Sequence, residues 1–274
     1  MAVQVTMAEI SKLRTMTGAG MMDCKNALIE AEGDFDKAIE IIRKKGQAVA
    51  AKRSDREASE GCVLATAQAG YAAVLALKCE TDFVAKNADF IALTQAILDK
   101  TMAEKPADLN ALKALQIDGR TAAELVVDRS GVTGEKMELD YFEFVAGGSS
   151  IAYIHPGNKL ATIVAFAEEG VDHQVMRDVA MQVAAMNPVS LDRNSVPQKV
   201  MDTELEIGRE KAREEGKPEN MLDKIAQGRL NKFFQESTLL EQAFIKDGKM
   251  TVSDYLKANK ATATAFKRVT LNQE

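Results

Sequence analysis

The chain reads Thr81-Asp82-Phe83-Val84-Ala85-Lys86-Asn87 at the point where a strand-like pattern gives way to a helix-like one. Residues 71–77 before it form a continuous apolar run, as in a buried strand. Residues 90–97 after it repeat apolar side chains at helical spacing. The stretch is therefore predicted to be the loop or first helical turn that joins a strand to a helix in an α+β body.

Within this stretch, Asp82 and Phe83 cannot both pack into one core, because neighbouring side chains on a helical turn point about 100° apart. One interpretation turns Phe83 outward, where an exposed aromatic beside an acid is typical of a partner surface. The other buries Phe83 as a core residue that caps the sheet and makes Asp82 a helix N-cap. The local sequence alone favours the second interpretation.

The overall composition excludes several classes of function. The 274 residues carry a net charge of −6, so no global field attracts nucleic acid. There is no Trp, and aromatic residues make up only 5%, so few side chains are available to stack on bases. No apolar run approaches the roughly 20 residues that span a bilayer. We expect a cytosolic protein that contacts neither membrane nor nucleic acid directly.

The cysteines and histidines indicate no metal site and no convincing active site. The three cysteines are Cys24, Cys62 and Cys79, and they form no Cys-x-x-Cys pair. The two histidines, His155 and His173, lack the spacing of metal ligands. A thiol enzyme that uses Cys24 or Cys79 is an alternative, but no histidine lies in the segment around Cys24 to act as its base.

Residues 1–56 are predicted to form a small helical domain followed by a basic linker. Thr6 and Glu9 have the spacing of a capping box at the start of a first helix. Glycines separate the first two helices, and Asp34 can cap a third. The basic residues of the linker are Arg43, Lys44, Lys45, Lys52, Arg53 and Arg56, and a solvated helix face or a tether is favoured over an RNA-binding patch.

The body of the chain contains an internal repeat of low identity. Residues 61–96 can be laid over residues 150–185 with a shift of 89, which places Asp89 on Asp178. Each copy reads strand, turn, strand, loop and amphipathic helix. We predict one half of the core in residues 57–146 and the other in residues 147–189 together with 229–274.

Residues 190–228 are predicted to form a helical hairpin inserted into the second half. The segment is charged with sparse apolar positions, and Gly216-Lys217-Pro218 divides it. Such a narrow apolar seam is too thin for a domain core. We expect the hairpin to project from the body, where it could pair with a second copy of the chain.

Two motifs resemble the signatures of one protein family. They are the run from Leu13 to Lys25, LRTMTGAGMMDCK, and the run from Cys79 to Asn87, CETDFVAKN, and both resemble bacterial translation elongation factor Ts. The resemblance covers nearly the whole chain. It implies a ubiquitin-associated-like N-terminal domain of three helices, a two-part α+β core with an internal repeat, and an inserted antiparallel coiled-coil hairpin.

The resemblance also implies a function, guanine nucleotide exchange on elongation factor Tu. In the family, the segment Thr81, Asp82, Phe83 and Val84 disturbs the Mg²⁺ site of the partner. The residues at the other family contact positions are Arg14, Met21, Met22, Lys25, His155 and Ile245. The chain itself is expected to hold no cofactor and to perform no covalent chemistry, since it acts on the GDP and Mg²⁺ bound by its partner.

The sequence departs from the family pattern at Ala76, Lys78, Gln182 and Lys246. Because the chain ends soon after Leu271, we expect it to lack the separate C-terminal helical module that some members carry. An alternative function is a non-catalytic adaptor that binds a protein or RNA through the small helical domain. That alternative predicts no nucleotide release.

Overall fold

The structure is a computed structural model that describes residues 4–272. The chain forms two compact units, one of residues 4–64 with 75–142 and one of residues 65–74 with 143–272. Helices and strands are both present and occur largely in runs, in agreement with the predicted α+β class. No helix in the described part combines the length and the apolar character needed to cross a membrane.

The N-terminal helices are α1 (Met7–Thr17), α2 (Met21–Glu30) and α3 (Phe35–Lys52). The predicted capping box forms, since Thr6 and Glu9 exchange side-chain to backbone hydrogen bonds at the start of α1. Asp34 caps α3 by accepting from the backbone N–H of Lys37 at 3.1 Å. Leu13 and Cys24 lie fully buried where the three helices meet. The three predicted helices are therefore confirmed.

The next elements form the first half of the body, which contains a three-stranded sheet and several helices. They are β1 (Glu60–Gln68), β2 (Tyr71–Cys79), α4 (Asp82–Ala85), α5 (Ala88–Glu104), α6 (Leu109–Lys113), β3 (Gln116–Ile117), β4 (Arg120–Thr121), α7 (Ala122–Thr133) and β5 (Met137–Ala146). The strand order is β1-β2-β5. The turn from β1 to β2 uses Ala69 and Gly70 at positive φ, 48° and 78°. The central strand β2 leads directly into the 81–87 stretch.

Helix α3 is longer than predicted, because residues 43–52, assigned to a linker, are helical. The reason is tertiary packing, since α3 lies against α7. The contact is made by Gly46 and Gly131, and a Cβ added at Gly131 would come within 2.2 Å of the Gly46 Cα. The two helices can approach this closely because Gly131 has no side chain. A tether is therefore wrong for residues 43–52, and the solvated helix face is the alternative that the structure contains.

The second copy of the repeat consists of β6 (Ser149–Ile154), β7 (Leu160–Phe166) and α8 (His173–Met186). Its sheet has the order β10-β7-β6, where β10 is the last strand (Ala263–Thr270). The second strand of each hairpin is thus central in its own sheet, β2 in one and β7 in the other. Every residue of β7 is buried. The repeated strand–turn–strand–helix order is confirmed.

Between α8 and β10 the chain forms α9 (Gln198–Glu214), α10 (Leu222–Ser237), β8 (Ala243–Phe244), β9 (Asp247–Thr251) and α11 (Val252–Ala258). Helices α9 and α10 pack antiparallel. Their ion pairs show the direction, since Arg209 meets Asp223 while the later Arg213 meets the earlier Glu219. Helix α10 continues past residue 228, where the predicted hairpin ends.

Candidate functional site

The 81–84 segment forms the short helix α4 at the end of the central strand β2. Thr81 is its N-cap, with extended backbone angles and a hydroxyl that accepts from the N–H of Val84 at 3.4 Å. Asp82 is the first residue inside the helix, so its prediction as N-cap is wrong. A helix of one turn has little intrinsic stability, because nucleation is unfavourable. Its position must therefore come from tertiary contacts.

Phe83 lies on the surface with 84% of its side chain exposed, so its prediction as a core residue is wrong. Within α4 it is Ala85 that is buried. Two residues along a helix correspond to about 200° of rotation, so a buried Ala85 turns Phe83 outward. An exposed ring of this size, on a turn held at the end of a buried strand, is a candidate contact for another protein.

Asp82 stands beside Phe83 and forms an exposed ion pair with Lys86, one helical turn away. The Nζ to Oδ2 distance is 2.6 Å. The hydrogen bond that Lys86 donates to Asp82, together with the negative charge of Asp82, raises the pKa of Lys86. Exposed pairs of this kind contribute little stability. A partner could therefore replace Lys86 at Asp82 at low cost.

Glu135 holds the backbone in front of α4, and the sequence analysis missed it. Its Oε2 accepts from the backbone N–H groups of Glu80, at 3.1 Å, and Thr81, at 3.0 Å. Its Oε1 accepts from the Thr81 hydroxyl at 2.6 Å. Glu135 lies 54 residues away, between α7 and β5, and no local pattern links the two segments.

Glu80 connects the same loop to the end of α3. Its carboxylate accepts from the Arg53 guanidinium at 3.2 and 3.3 Å and from the backbone N–H of Lys136 at 2.6 Å. The Lys136 ammonium in turn donates to the carbonyl of Arg56 at 2.8 Å. The predicted partner segment is therefore supported from three parts of the chain: α3, the β2–α4 loop and the α7–β5 loop.

The predicted contact residues of the N-terminal module lie on α1 and α2. Met22 is 64% exposed, whereas Met21 is half-buried against the core of the module. Arg14 and Lys25 are both exposed. A flexible thioether on the surface suits an adaptable apolar contact.

His155 and Ile245 belong to the second unit. His155 is exposed in the β6–β7 turn, as predicted for a hairpin tip, and its Nδ1 lies 3.0 Å from the Tyr153 hydroxyl. Ile245 directly follows β8 and is 42% exposed. The Gln182 side chain fixes this segment, because its Oε1 accepts from the Ile245 N–H at 2.8 Å. Gln182, one of the departures from the family pattern, is thus a buried support of a predicted contact residue.

Lys246, another departure, pairs with the buried Asp178. The Nζ to Oδ1 distance is 2.5 Å. The Tyr255 hydroxyl donates to the other oxygen of Asp178 at 2.8 Å, and Gln174 donates to Oδ1. Burial alone would raise the pKa of Asp178, but these hydrogen bonds and the charge of Lys246 outweigh it, so the pKa is lowered.

Two further departures lie on the central strand β2. Ala76 is fully buried and adds no polar group to the core. Lys78 directs its ammonium to Asp140 at 2.8 Å and to Glu138 at 3.6 Å. The carboxylates on β5 therefore neutralise this lysine locally, and the strand continues undisturbed to Cys79.

The thiols are unsuited to nucleophilic chemistry. Cys24 and Cys79 are fully buried. Burial raises the pKa of both thiols, and it raises that of Cys79 to about 12, with a further contribution from the charge of Glu135. A thiol of this kind stays protonated at neutral pH and is a poor nucleophile. Among residues 4–272, no group of three or more His, Cys, Asp and Glu side chains is arranged to hold a metal ion.

Comparison with known proteins gives consistent matches. The profile of the family described as "Elongation factor TS" matches residues 80–273. The chain is 62% identical over 273 residues to elongation factor Ts of Porphyromonas gingivalis, which covers 98% of this chain and 99% of that protein. It is 54% identical over 272 residues to elongation factor Ts of Azobacteroides pseudotrichonymphae, with the same coverage. The family profile includes the 81–84 segment.

Proposed function

The chain belongs to the elongation factor Ts family, and we propose that it is a guanine nucleotide exchange factor for elongation factor Tu in translation elongation. It would promote release of GDP by disturbing the Mg²⁺ and phosphate site of its partner and by stabilising the nucleotide-free state. The structural observation that carries this proposal is the outward Phe83 on a turn that the rest of the unit holds in place.

The exchange factor needs only to bind the nucleotide-free partner better than the GDP-bound one. By thermodynamic linkage, loss of GDP strengthens the binding of the exchange factor to its partner by a certain factor. Binding of the exchange factor weakens the binding of GDP to that partner by the same factor. Each tenfold weakening of GDP binding requires about 1.4 kcal/mol of such preference. No covalent step is involved, and we propose that the chain holds no cofactor of its own.

Phe83 would supply much of this preference as a wedge. An aromatic side chain that moves from water into a protein groove buries on the order of 150–250 Å². The ring is already exposed before binding, so no part of its own fold has to open. If the groove exists only in the nucleotide-free partner, this burial favours that state alone.

Asp82 would act on the Mg²⁺ side of the same contact. A carboxylate is a hard oxygen donor and competes for the polar groups that hold the water shell of the metal. Its pairing with Lys86 is exposed and exchangeable. Thr81 and Val84 would shape the turn on which Asp82 and Phe83 stand.

The remaining contacts would be made by Arg14, Met21, Met22, Lys25, His155 and Ile245. We propose that α1–α3 form a ubiquitin-associated-like docking domain within residues 1–56, and that α9 and α10 form a coiled-coil hairpin that could pair two copies. The core would divide into residues 57–146 and residues 147–189 with 229–274, around the hairpin at 190–228. His155 would press on the phosphate-loop side of the nucleotide site.

The test is the rate of release of a fluorescent GDP analogue from elongation factor Tu. The double variant Asp82→Ala with Phe83→Ala should slow the stimulated release at least about tenfold, as expected when an exposed hot spot is removed. The matched control is the double variant Val189→Ala with Glu104→Ala. Val189 is an exposed apolar residue, and Glu104 belongs to an i,i+4 ion pair with Lys100, so the control removes the same two kinds of group elsewhere. This control should exchange like the unaltered protein.

If the unaltered chain does not accelerate release, the proposed function is wrong, and an adaptor role becomes the better explanation. If it accelerates release but the Asp82 and Phe83 double variant exchanges at full speed, the wedge is wrong although the function stands.

A further inference from the structure

We propose that Glu135 is a positioning residue for exchange: its carboxylate completes the cap of α4 from a distant part of the chain and so fixes the direction of Phe83 and Asp82. The inference rests on the proposed function, which assigns the contact to residues 81–84. It adds a residue outside both signature motifs, in the α7–β5 loop.

A one-turn helix depends on caps for its first N–H groups. The first N–H groups of a helix have no partner inside it, and they need acceptors from elsewhere. A capping box meets this need locally, with a Glu or Gln at the third helical residue reaching back to the N-cap. In α4 the third residue is Val84, which has no acceptor. The box is therefore incomplete within the segment itself.

Helix α7 shows what the complete arrangement looks like in this protein. Glu124 accepts from the backbone N–H of Thr121 at 2.8 Å and from its hydroxyl at 2.9 Å. At α4, Glu135 accepts from the same two groups of Thr81, at 3.0 and 2.6 Å. Glu135 thus makes at Thr81 the contacts that Glu124 makes at Thr121, but from outside the helix that it caps.

The Thr81 hydroxyl is used in both directions. It donates to Glu135 and accepts from the N–H of Val84. Because a hydroxyl has a single hydrogen, its donation to Glu135 leaves its lone pairs for Val84. The carboxylate of Glu135 therefore controls the tilt of the first turn as well as the path of the chain into it.

Glu135 itself is held in place. Gly134 ends α7 in the left-handed conformation, with φ of 74°. The Ser130 hydroxyl donates to the backbone carbonyl of Glu135 at 2.5 Å. The Glu135 N–H donates to the hydroxyl of Thr133 at 3.3 Å. A carboxylate on a fixed backbone can orient a turn, whereas one on a mobile loop could not.

Phe83 cannot orient itself, because 84% of its side chain is exposed and packs on little else. Ala85 offers only a methyl group to the core. The direction of the ring thus depends on how the turn is anchored, by Ala85 in the core and by the three hydrogen bonds to Glu135. If they are lost, we expect the turn to sample other directions, so that fewer encounters with the partner are productive.

The first experiment needs no partner. The chain contains no Trp, so Phe83→Trp introduces a single fluorescent reporter at the tip of the turn. In this background Glu135→Gln, which removes the charge and leaves a single acceptor oxygen where the carboxylate offers two, should lower the anisotropy of Trp emission. The matched control is Glu124→Gln, which alters the same kind of contact at α7. It should leave the anisotropy unchanged.

The second experiment is a double-mutant cycle on GDP release. Glu135→Gln should slow stimulated release about tenfold in the otherwise unaltered protein, the effect of losing one charge-assisted hydrogen bond. In the Asp82→Ala, Phe83→Ala background the same change should slow it less than about twofold, because the groups that Glu135 orients are absent. Loss of general stability would slow both backgrounds equally.

The outcomes separate the two claims. If Glu135→Gln leaves both the anisotropy and the release rate unchanged, or slows release equally in both backgrounds, the positioning role is overturned. If the unaltered protein fails to accelerate release, the proposed function falls, and the Trp reporter still decides whether Glu135 orients the turn.

Discussion

The two copies of the internal repeat treat the step from strand to helix differently. In the second copy, β7 passes to α8 through residues 167–172 without an intervening helix. In the first copy, β2 passes to α5 by way of the additional turn α4. The central strand of each sheet is buried almost throughout. The extra turn is therefore an addition to a shared scaffold, and it is the part that carries the exposed aromatic residue.

In both copies, hydrogen bonds from a threonine to a glutamate carboxylate fix the link between strand and helix. The link supplies the glutamate in one copy and the threonine in the other. In the second copy, Glu168 belongs to the link and accepts from the N–H and hydroxyl of Thr262 at 2.8 and 2.7 Å. In the first copy, the link supplies Thr81 and a distant Glu135 supplies the carboxylate. The contrast shows that a strand–helix link can either provide the anchor or receive it.

The largest difference between the two copies is expected between one phenylalanine of each, Phe166 and Phe83. Phe166 ends β7 and is fully buried, so Phe166→Ala should lower the free energy of unfolding by about 3–5 kcal/mol through lost burial and a residual cavity. Phe83→Ala should change it by no more than about 0.5 kcal/mol, because the ring is already in water. Urea unfolding followed by circular dichroism measures both. Equal losses would show that Phe83 is a packing residue.

A smaller effect is expected at the aspartates that the repeat places on each other. Asp178 is only 6% exposed and pairs with Lys246, whereas Asp89 is 69% exposed and pairs with Arg129 at 3.4 Å. Asp178→Asn should destabilise by about 1–3 kcal/mol, because it weakens a buried, charge-assisted network. Asp89→Asn should cost at most about 0.5 kcal/mol.

The Asp178 difference also depends on pH. The folded-state pKa of Asp178 lies below its ordinary value of 3.8, so its ionised form stabilises the fold. That contribution is complete above 3.8 and is lost as the pH falls through the lower, folded value. The gap in unfolding free energy between the unaltered protein and Asp178→Asn should therefore narrow as the pH is lowered from about 7 to about 3. A gap that widens on acidification would contradict the assignment.

The smallest difference between the two copies is expected at the N-caps of their helices. Asn87 caps α5 by accepting from Asp89 and Phe90, and Asp172 caps α8 by accepting from Gln174 and Val175. Asn87→Ala and Asp172→Ala should each cost about 1 kcal/mol, the usual value of such a cap. A near-equal loss would confirm that the helix starts belong to the shared scaffold. A much larger loss at Asn87 alone would show that it also supports the turn.

Features set by neighbouring residues could be predicted from the sequence. The capping boxes at Thr6 and Thr121 and the end of α8 before Pro188 depend on spacings of a few residues, and the structure contains them. The repeated strand–turn–strand–helix order followed for the same reason, since hydrophobic periodicity is local. The motifs placed the 81–84 segment at the right junction.

Features set by distant packing could not be predicted in this way. The local sequence favours burial of Phe83, yet the orientation of α4 is decided by Ala85 and by Glu135, far along the chain. The basic run after Arg43 has the composition of a tether, but contact with α7 makes it helical. Equivalent positions in the repeat, Asp89 and Asp178, differ in exposure because only one has a buried partner network.

The close contact between Gly46 and Gly131 limits which amino-acid substitutions the crossing of α3 and α7 can accept. A Cβ added at Gly131 would come within 2.2 Å of the Gly46 Cα, so a single methyl group on α7 would force the two helices apart, whereas a Cβ added at Gly46 would lie 3.4 Å from the Gly131 Cα, an ordinary contact. Arg53, which holds Glu80, lies at the end of the same helix α3. A substitution at Gly131 would thus displace the helix whose end holds Glu80 in front of the 81–84 turn, and Gly131 is the more constrained of the two glycines.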